Sequence, residues 1–499
     1  ICSCGYKFKK NDKPLLTNQV KSAAMLKSYI SKQIIEEIKF APTDCQTEMA
    51  DKVAEFITLD HNHLVFLLKG YAGTGKTTAL SALVRVLDHL KMKAVLLAPT
   101  GRASKVLSRY SGKQATTIHK KIYRQQSANG YGKFSLDRNL HKNTIFIIDE
   151  ASMISNHPQE NIIFGSGYLL SDVIEYVMSG ENCRLILTGD TAQLPPVGFS
   201  VSPALEEEEL KYFDLEVIKC ELTEVVRQAS KSGILENATM IRNLLTNEHF
   251  EGYWKIKTEG YKDILRIGGA DLIEDISSCY HKFGIDETIV VTRSNKRANK
   301  FNEGIRRAVL YREEQISTGD LVMSVKNNYY WAKQSEELGF IANGDIAEVV
   351  KIRKFEEKYG FHFVNVTLKF IDFKDVEIDC KIILDTLTIE APSLTQTDQK
   401  RLFDEIAQDY PEIRNKRTLW EKMRENEYFN ALQVKFSYAL TCHKSQGGQW
   451  KAVFLDHGYL TEDMIDREYL RWIYTAFTRP TEQLYLVNFN KEFFEEERE

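Results

Sequence analysis

Gly70-Tyr-Ala-Gly-Thr-Gly-Lys-Thr77, fed by the apolar run Leu64–Lys69, decides how the rest of this 499-residue chain is read. Its spacing is G-x-x-x-x-G-K-[ST] in full. An apolar strand leads into the turn and a helical pattern, Thr77 to Leu90, leaves it. In that context the glycines let backbone N–H groups converge on an anion without Cβ clashes, and the helix N-terminus adds positive potential. Lys76 is placed to reach β- and γ-phosphates, and Thr77 to offer its hydroxyl to Mg²⁺. The cradle comprises Gly70, Ala72, Gly73, Thr74, Gly75, Lys76, Thr77 and Thr78, and the cofactors it calls for are ATP and Mg²⁺.

Working outward, Ala94–Ala98, Thr144–Ile148 and Arg184–Thr188 are further short apolar runs, each followed by a turn or a helix start. Continuous apolar strands of this kind belong to a parallel sheet covered on both faces, so residues 41–225 read as one doubly wound α/β unit. Thr144–Ile148 runs into Asp149-Glu-Ala-Ser152. A carboxylate at the end of a buried strand beside the phosphate-loop strand suits a Mg²⁺ ligand. Asp149 takes that role, and Glu150 that of general base for the attacking water. A second set, Thr288–Thr292, Val434–Leu440, Val453–Leu455 and Gln483–Val487, gives a second α/β unit from residues 226–311 and 434–499. Between its halves, 312–433 changes texture. Asp320–Val325, Asp345–Ile352, His362–Phe370 and Val376–Leu384 alternate like antiparallel strands of a small barrel, and 395–430 reads as one or two helices. At the other end, Pro42-Thr-Asp44 starts a helix capped by Thr43 or Asp44. Residues 1–40 form an extension of unknown role, whose Val20–Phe40 carries Leu26, Ile30, Ile34 and Ile38 at near-helical spacing and reads as a packing appendage.

The length calls for two to four domains. A content of 43% hydrophobic and 27% charged residues with net charge −4 excludes a purely electrostatic nucleic-acid binder, so such binding must use local basic grooves. Eight cysteines, at 2, 4, 45, 183, 220, 279, 380 and 442, form no disulfide framework, which points to free thiols in a reducing cytoplasm. Cys2 and Cys4 with Gly5 are half of a zinc knuckle, and no second pair follows to complete it. No stretch has the apolar length of a membrane span and no signal peptide is visible, so no membrane partner is expected.

Further segments fall in a recognisable order. They are Ala98-Pro-Thr-Gly-Arg-Ala-Ser-Lys-Val-Leu107, Thr116-Thr-Ile-His119, Asp149-Glu-Ala-Ser152 and Gly189-Asp-Thr-Ala-Gln-Leu-Pro-Pro-Val-Gly198. Then come Leu222-Thr-Glu-Val-Val-Arg-Gln228, Val291-Thr-Arg-Ser-Asn295, Ile341-Ala-Asn-Gly-Asp345, Ala439-Leu-Thr-Cys-His-Lys-Ser-Gln-Gly447 and Tyr474-Thr-Ala-Phe-Thr-Arg479. Over about residues 41–490 the chain resembles superfamily 1 helicases, and most of all the RecD/Dda group, the branch that generally moves 5′ to 3′. The resemblance implies an α/β fold of two RecA-like doubly wound parallel-sheet domains, with an inserted β-hairpin pin at about 120–140 and an SH3-like β-barrel insert. It implies an ATP-dependent DNA helicase of DNA repair or recombination. Its partners would be single-stranded DNA and single-strand/duplex junctions.

Roles follow residue by residue. Gln46 is similar to the glutamine that reads adenine. Gln193 matches the residue that senses the γ-phosphate and couples it to the DNA groove. Arg227 and Arg479 match arginines that reach the γ-phosphate from the second α/β domain, where a cation stabilises the charge spread over the transition state only when the domains close. Pro99, Thr100, Thr117, His119, Thr441, His443 and Lys444 match positions lining a single-strand groove. Hydroxyls and helix N-termini suit phosphates there, and proline and histidine faces suit bases. Arg124–Asn139 contains Asn129-Gly130, a hairpin turn signal. It sits where the family carries a duplex-splitting pin, with Tyr131 or Phe134 as candidate wedges. Tyr329-Tyr330-Trp331 reads as barrel core ahead of a base-stacking surface. Two departures stand out: Pro480 follows Arg479 where a small residue is usual, and Ile154–Gly180 is long, polar and without an assigned role. No nuclease-type acidic cluster is evident. The competing reading keeps the fold and drops the motor: an ATP-gated single-strand DNA or RNA binding or remodelling ATPase without processive unwinding.

Overall fold

The computed structural model describes residues 13–38, 40–61, 63–125, 134–158, 164–226, 231–247, 250, 252–335, 338–373 and 376–495. Cys2, Cys4, Tyr131 and Arg227 lie outside them. The first α/β lobe carries eight strands: β1 Leu64–Gly70, β2 Lys93–Ala98, β3 Ala115–Thr117, β4 Tyr123–Gln125, β5 Phe134–Leu136, β6 Thr144–Ile148, β7 Arg184–Gly189 and β8 Glu216–Leu222. Six of them make a parallel sheet in the order β3-β2-β6-β7-β1-β8, and β4 pairs with β5 as a separate antiparallel hairpin. Successive strand residues serve opposite faces. Leu64, Phe66 and Leu68 enter one core with Ile145 and Ile147, and Val65 and Leu67 enter another with Phe146 and Ile148. That double coverage is why these strands are uninterrupted apolar runs.

One expectation needs correction. β6, which leads into Asp149, does not neighbour the phosphate-loop strand, because β7 lies between β6 and β1. The register keeps the strand ends level, Ile148 opposite Leu187 and Gly189 opposite Lys69, so Asp149, Asp190 and Gly70 leave the sheet at one edge. The edge strand β8 escaped notice because only Cys220 and Leu222 of it are buried.

The second lobe opens with β9 Ile264–Ile267 and β10 Thr288–Thr292. The chain then builds a closed barrel from β11 Leu321–Ser324, β12 Ile346–Lys358, β13 Phe361–Phe370, β14 Glu377–Ile383 and β15 Leu432–Phe436. It returns through β16 Ala439–Thr441, β17 Trp450–Asp456 and β18 Pro480–Val487. The second sheet is parallel, ordered β16-β10-β17-β18-β9. Val434–Leu440 is therefore not one strand of this sheet: β15 closes the barrel against β11 and β14, and after Ser437-Tyr438 the chain joins β10 as β16. Both pieces are apolar, so nothing in the pattern marks the break. Asn302 marks it in space, its Nδ2 donating to the carbonyls of Phe436 (3.1 Å) and Ala439 (3.0 Å). In the β12–β13 hairpin Tyr359 and Gly360 both take positive φ (56° and 69°), the two-residue turn whose twist matches its strands.

The barrel is rooted by Asp320, whose side chain is fully buried. It accepts from Arg306 Nη2 (2.9 Å), Arg312 Nη1 (2.8 Å), Tyr438 Oη (2.9 Å) and the Ser317 amide (2.7 Å). Helices Gln396–Ala407 and Lys416–Glu425 cover the barrel's far end through Leu402, Ile406 and Met423, packed on Phe361 and Phe363. At the N-terminus, helix Lys13–Glu37 lays Ile30 and Ile34 on Met49 and Val53 of helix Asp44–Thr58. Leu26 is 47% exposed, because that turn is tied by the Lys27–Glu55 ion pair (2.6 Å) rather than by apolar packing. Among the described residues no helix is long and apolar enough to cross a membrane, and the six described cysteines are free.

Candidate active site

The phosphate loop has the backbone its glycines promised. Gly73 and Gly75 sit at φ 76° and 77°, and helix Lys76–His89 begins directly after. A Cβ on Gly75 would lie 2.4 Å from Gln46 Nε2. Gln46 is buried against the loop: Oε1 accepts from the Thr43 amide in a capping box (3.2 Å), and Nε2 donates to the Thr74 carbonyl (3.2 Å). These bonds brace the loop and use one of the amide's two N–H donors and one of its two lone pairs. The Val226 amide donates to the Gly73 carbonyl (3.0 Å), closing the cradle at the start of the second lobe.

Opposite the loop, Asp149 is buried. Tyr110 donates to its Oδ2, and its Oδ1 has no partner. Burial pushes the Asp149 carboxyl above its usual range, and Lys76 pulls against that shift. Glu150, held at φ 54°, buries an unpartnered Oε2, and Thr188 Oγ1, Ser152 Oγ and Gln193 Oε1 are likewise unpartnered. Buried oxygens are almost always satisfied, so a cluster of open ones at one sheet edge fits a ligand rich in cation and donor. Mg²⁺ with a triphosphate and its attacking water meets that need: Thr77 and Asp149 would hold the ion, which neutralises developing charge, and Glu150 would take the water's proton.

The lobes are joined along the Gly189–Gly198 loop. Helix Arg467–Phe477 of the second lobe sends Arg471 Nη1 to the carbonyls of Thr191 (3.2 Å) and Gln193 (3.3 Å), Tyr474 Oη to Asp190 Oδ2 (2.7 Å) and Thr475 Oγ1 to the Leu194 amide (2.8 Å). Gln446 Nε2 completes the grip on the Leu194 carbonyl (2.7 Å). Arg479 is 2% exposed, and its donors go to Thr475 O (3.0 Å), Gly448 O (3.1 Å) and Thr478 Oγ1 (2.8 Å), all within its own lobe. Pro480 does no damage as the opening residue of β18. Tyr110, Asp190, Arg471 and Thr475 were not singled out as site residues. Asp190 and Thr475 lay inside quoted motifs, whereas nothing in the pattern around Tyr110 or Arg471 pointed inward.

The strand-groove candidates gather on the adjoining edge. Thr100 and Thr117 are helix N-caps, accepting from the amides of Ala103 (3.1 Å) and Lys120 (3.3 Å), and Pro99 is half-buried beside them. From the second lobe Thr441 and Lys444 are half-buried and His443 is exposed. Burial pushes Lys444 down to about 8. Gly447 (φ 70°) comes so close that a Cβ would sit 2.8 Å from Ala103 and 3.2 Å from Thr100 Oγ1, so the two candidate tracks meet. Thr117 and Lys120 line a cleft of about 470 Å³ with Phe340, Asp345 and Phe373 of the insert. His119 packs edge-on to Phe164 (4.9 Å), and burial holds it near 4, so its ring is neutral at pH 7.

Phe134 is not a free wedge. Its ring lies 5.0 Å from Phe164 and 4.6 Å from Tyr329, in a cluster joining the hairpin base to the insert. Tyr329 thus bridges instead of filling the barrel, while Trp331 packs against the barrel core and donates to the Asn430 carbonyl (2.9 Å). The polar stretch after Ser152 finds a structural job. Asp172 accepts from Tyr123 Oη (2.6 Å) and Ser166 Oγ (2.7 Å), bracing the hairpin.

Asp345 sets a pH dependence where insert meets first lobe. Its Oδ2 accepts from the Ala342 amide (2.7 Å), and Oδ1 would lie 2.9 Å from a Cβ on Gly101. Burial, and to a lesser degree Asp372, push it up to about 7, against the Ala342 amide and, more weakly, Lys120. An acid raised from about 4 binds its proton more tightly in the folded protein, so stability falls as pH rises between those values. Asp345→Asn is expected to raise the melting temperature more at pH 8 than at pH 5. Equal gains in thermal scans at both pH values would contradict the assignment.

A phosphate loop on one parallel sheet, facing a second parallel sheet across a shared loop, defines a tandem RecA-like architecture. The family profile described as an AAA domain matches residues 46–254, and that of the UvrD-like helicase C-terminal domain matches 436–487. By those matches and its ordered motifs, the chain is similar to superfamily 1 helicases of the RecD/Dda group. It is 24% identical over 456 residues to the ATP-dependent RecD2 DNA helicase of Deinococcus radiodurans, covering 89% of this chain and 50% of that protein. It is 27% identical over 267 residues to the ATP-dependent DNA helicase dda of Enterobacteria phage T4, covering 51% and 55%. It thus spans about half the length of each. An uncharacterized protein of Acanthamoeba polyphaga mimivirus is 24% identical over 87% of this chain and 97% of its own length. Among solved structures, Pif1 helicase from Bacteroides in complex with ADP-AlF3 and ssDNA aligns with TM-score 0.45 at 16% identity, covering 92% and 95%.

Proposed function

We propose that this chain is an ATP-dependent DNA helicase that moves 5′ to 3′ on single-stranded DNA and opens duplexes at single-strand/duplex junctions. The observation that carries this reading is the Gly189–Gly198 loop. It ends the strand beside the phosphate-loop strand, bears Gln193, and is bonded to the second lobe by Arg471, Tyr474, Thr475 and Gln446. Gln446 is two residues from the strand-contact candidate Lys444. A change at the nucleotide therefore reaches the strand track through packed, bonded groups, the kind of bistable contact that converts ligand state into movement. Thr77 and Asp149 would hold Mg²⁺, and Arg479 would complete the site on closure by exchanging its present partners, with Arg227 proposed for the same role from its place in the sequence. The choice of DNA draws on the relatives, both named as ATP-dependent DNA helicases. The five-stranded insert is read as SH3-like.

Duplexes bearing a 5′ or a 3′ single-stranded tail, in DNA and in RNA, test the reading directly. With ATP and Mg²⁺ the 5′-tailed DNA duplex is expected to separate, and blunt or 3′-tailed duplexes are not. Release of the 3′-tailed duplex alone would reverse the polarity. Hydrolysis stimulated by single strands without separation of any duplex would favour the ATP-gated clamp. The engagement of Phe134 in an aromatic cluster instead of at a free tip is the observation on that side.

A further inference from the structure

Arg471, Tyr474 and Thr475 stand at i, i+3 and i+4 on helix Arg467–Phe477 and so share one face. That face holds the Asp190 carboxylate and the Thr191–Leu194 backbone at successive points. Tyr474 does something its neighbours do not. Besides donating to Asp190 Oδ2 at 2.7 Å, its hydroxyl accepts from the Ala72 amide of the phosphate loop at 2.9 Å. Tyr474 and Asp190 are each 1% exposed. One oxygen of the second lobe therefore ties together the two first-lobe loops that face the nucleotide.

We propose that Tyr474 is a positioning residue that transmits occupancy of the phosphate loop to the second lobe through Asp190, an inference that rests on the helicase reading above. The electrostatics give it a direction. In this buried corner Lys76 is the cation that favours both the Asp190 and the Asp149 carboxylates. A triphosphate entering the cradle draws the Lys76 ammonium onto its own oxygens. Asp190 then depends more heavily on its two remaining donors, the Ala192 amide (2.9 Å) and the Tyr474 hydroxyl. Hydrogen bonds to an ionised acceptor in a low-dielectric site are the strong ones, and they tighten when competing positive charge is withdrawn. The extra pull falls on a helix that also grips Thr191, Gln193 and Leu194, so it moves the second lobe and not merely one side chain. Release of phosphate returns Lys76 to the carboxylates and relaxes the pull.

The plainer reading is that Tyr474 fills the interface as an aromatic ring among Ala192, Leu194, Tyr71 and Ala72. Phenylalanine separates the two, because it keeps the ring and removes only the doubly bonded oxygen. A buried hydroxyl with one partner on each loop has a role that a ring alone cannot fill.

The test uses the full chain with Tyr474→Phe, Asp190→Asn and the pair together. Measurements are ATP hydrolysis with and without saturating oligothymidylate, KM for ATP, and affinity for the oligonucleotide by anisotropy. Asp190→Asn keeps volume and reaches the same link from the other side, so a folding defect in one variant leaves the other informative. Strand stimulation of kcat is expected to fall at least about tenfold in each single variant, with KM and strand affinity within about twofold. The double variant is expected to be no worse than the poorer single one, as for residues acting as a unit. Stimulation retained within about twofold in Tyr474→Phe, or multiplicative losses in the double variant, would overturn the proposal while the helicase reading stands. Wild-type protein showing neither strand-stimulated hydrolysis nor separation of any tailed duplex would overturn both.

Discussion

Lys76→Ala is expected to lower ATP hydrolysis by at least about 10²–10³-fold, the scale for losing one preorganised charge-stabilising donor, and strand separation should disappear with it. The site makes the loss larger than that of a phosphate contact alone. Asp149 and Asp190 are both buried, and Lys76 is the largest of the influences that oppose the rise of each carboxyl. Without the ammonium, two carboxylates share a dry corner, and the acid meant for Mg²⁺ shifts toward its protonated form. Affinity for single strands without nucleotide should stay within about twofold, because the groove residues Thr100, Thr117, Thr441 and Lys444 are untouched. Phosphate-release kinetics and gel-based strand displacement read both outcomes, and unwinding that survives in this variant would sink the hydrolytic mechanism.

The largest effect on stability is expected at Asp320. Its fully buried carboxylate faces Arg306 and Arg312 and also receives Tyr438 Oη and the Ser317 amide. Removing one partner of a buried ionic group leaves charge uncompensated and costs about 3–5 kcal/mol. Asp320→Ala strands two guanidinium groups where barrel, second sheet and helix Asn295–Ala308 converge. All five tryptophans, at 254, 331, 420, 450 and 472, lie in the second half of the chain, so intrinsic fluorescence in a urea titration follows this region selectively. A midpoint unchanged from wild type would show that the ion cluster is dispensable.

What the sequence disclosed, and what it hid, follow one rule. Residues whose role is dictated by backbone geometry or by burial on both faces announce themselves. The glycines at 73 and 75 adopt the positive φ that their spacing implied, and the apolar runs that lead into Asp149 and end at Gly189 are buried strands. Residues that matter through a partner far along the chain do not. Tyr110 reaches Asp149 across 39 positions, and Tyr474 reaches Asp190 across 284, with no local pattern to betray either. The order of strands is hidden for the same reason. Nothing near Asp149 says that β7 will intervene before β1, because inter-strand order is settled by crossovers and not by composition. Phe134 misled as a candidate wedge because an aromatic beside a turn looks the same whether it points to solvent or meets Tyr329.

Between Phe436 and Ala439 the backbone passes from insert to sheet in the space of Ser437 and Tyr438, with Asn302 bonded on both sides and Tyr438 Oη fastened to Asp320. So short and well-fastened a splice ties the barrel to its host sheet, and the barrel's face meets the first lobe at Gly101 and Lys105.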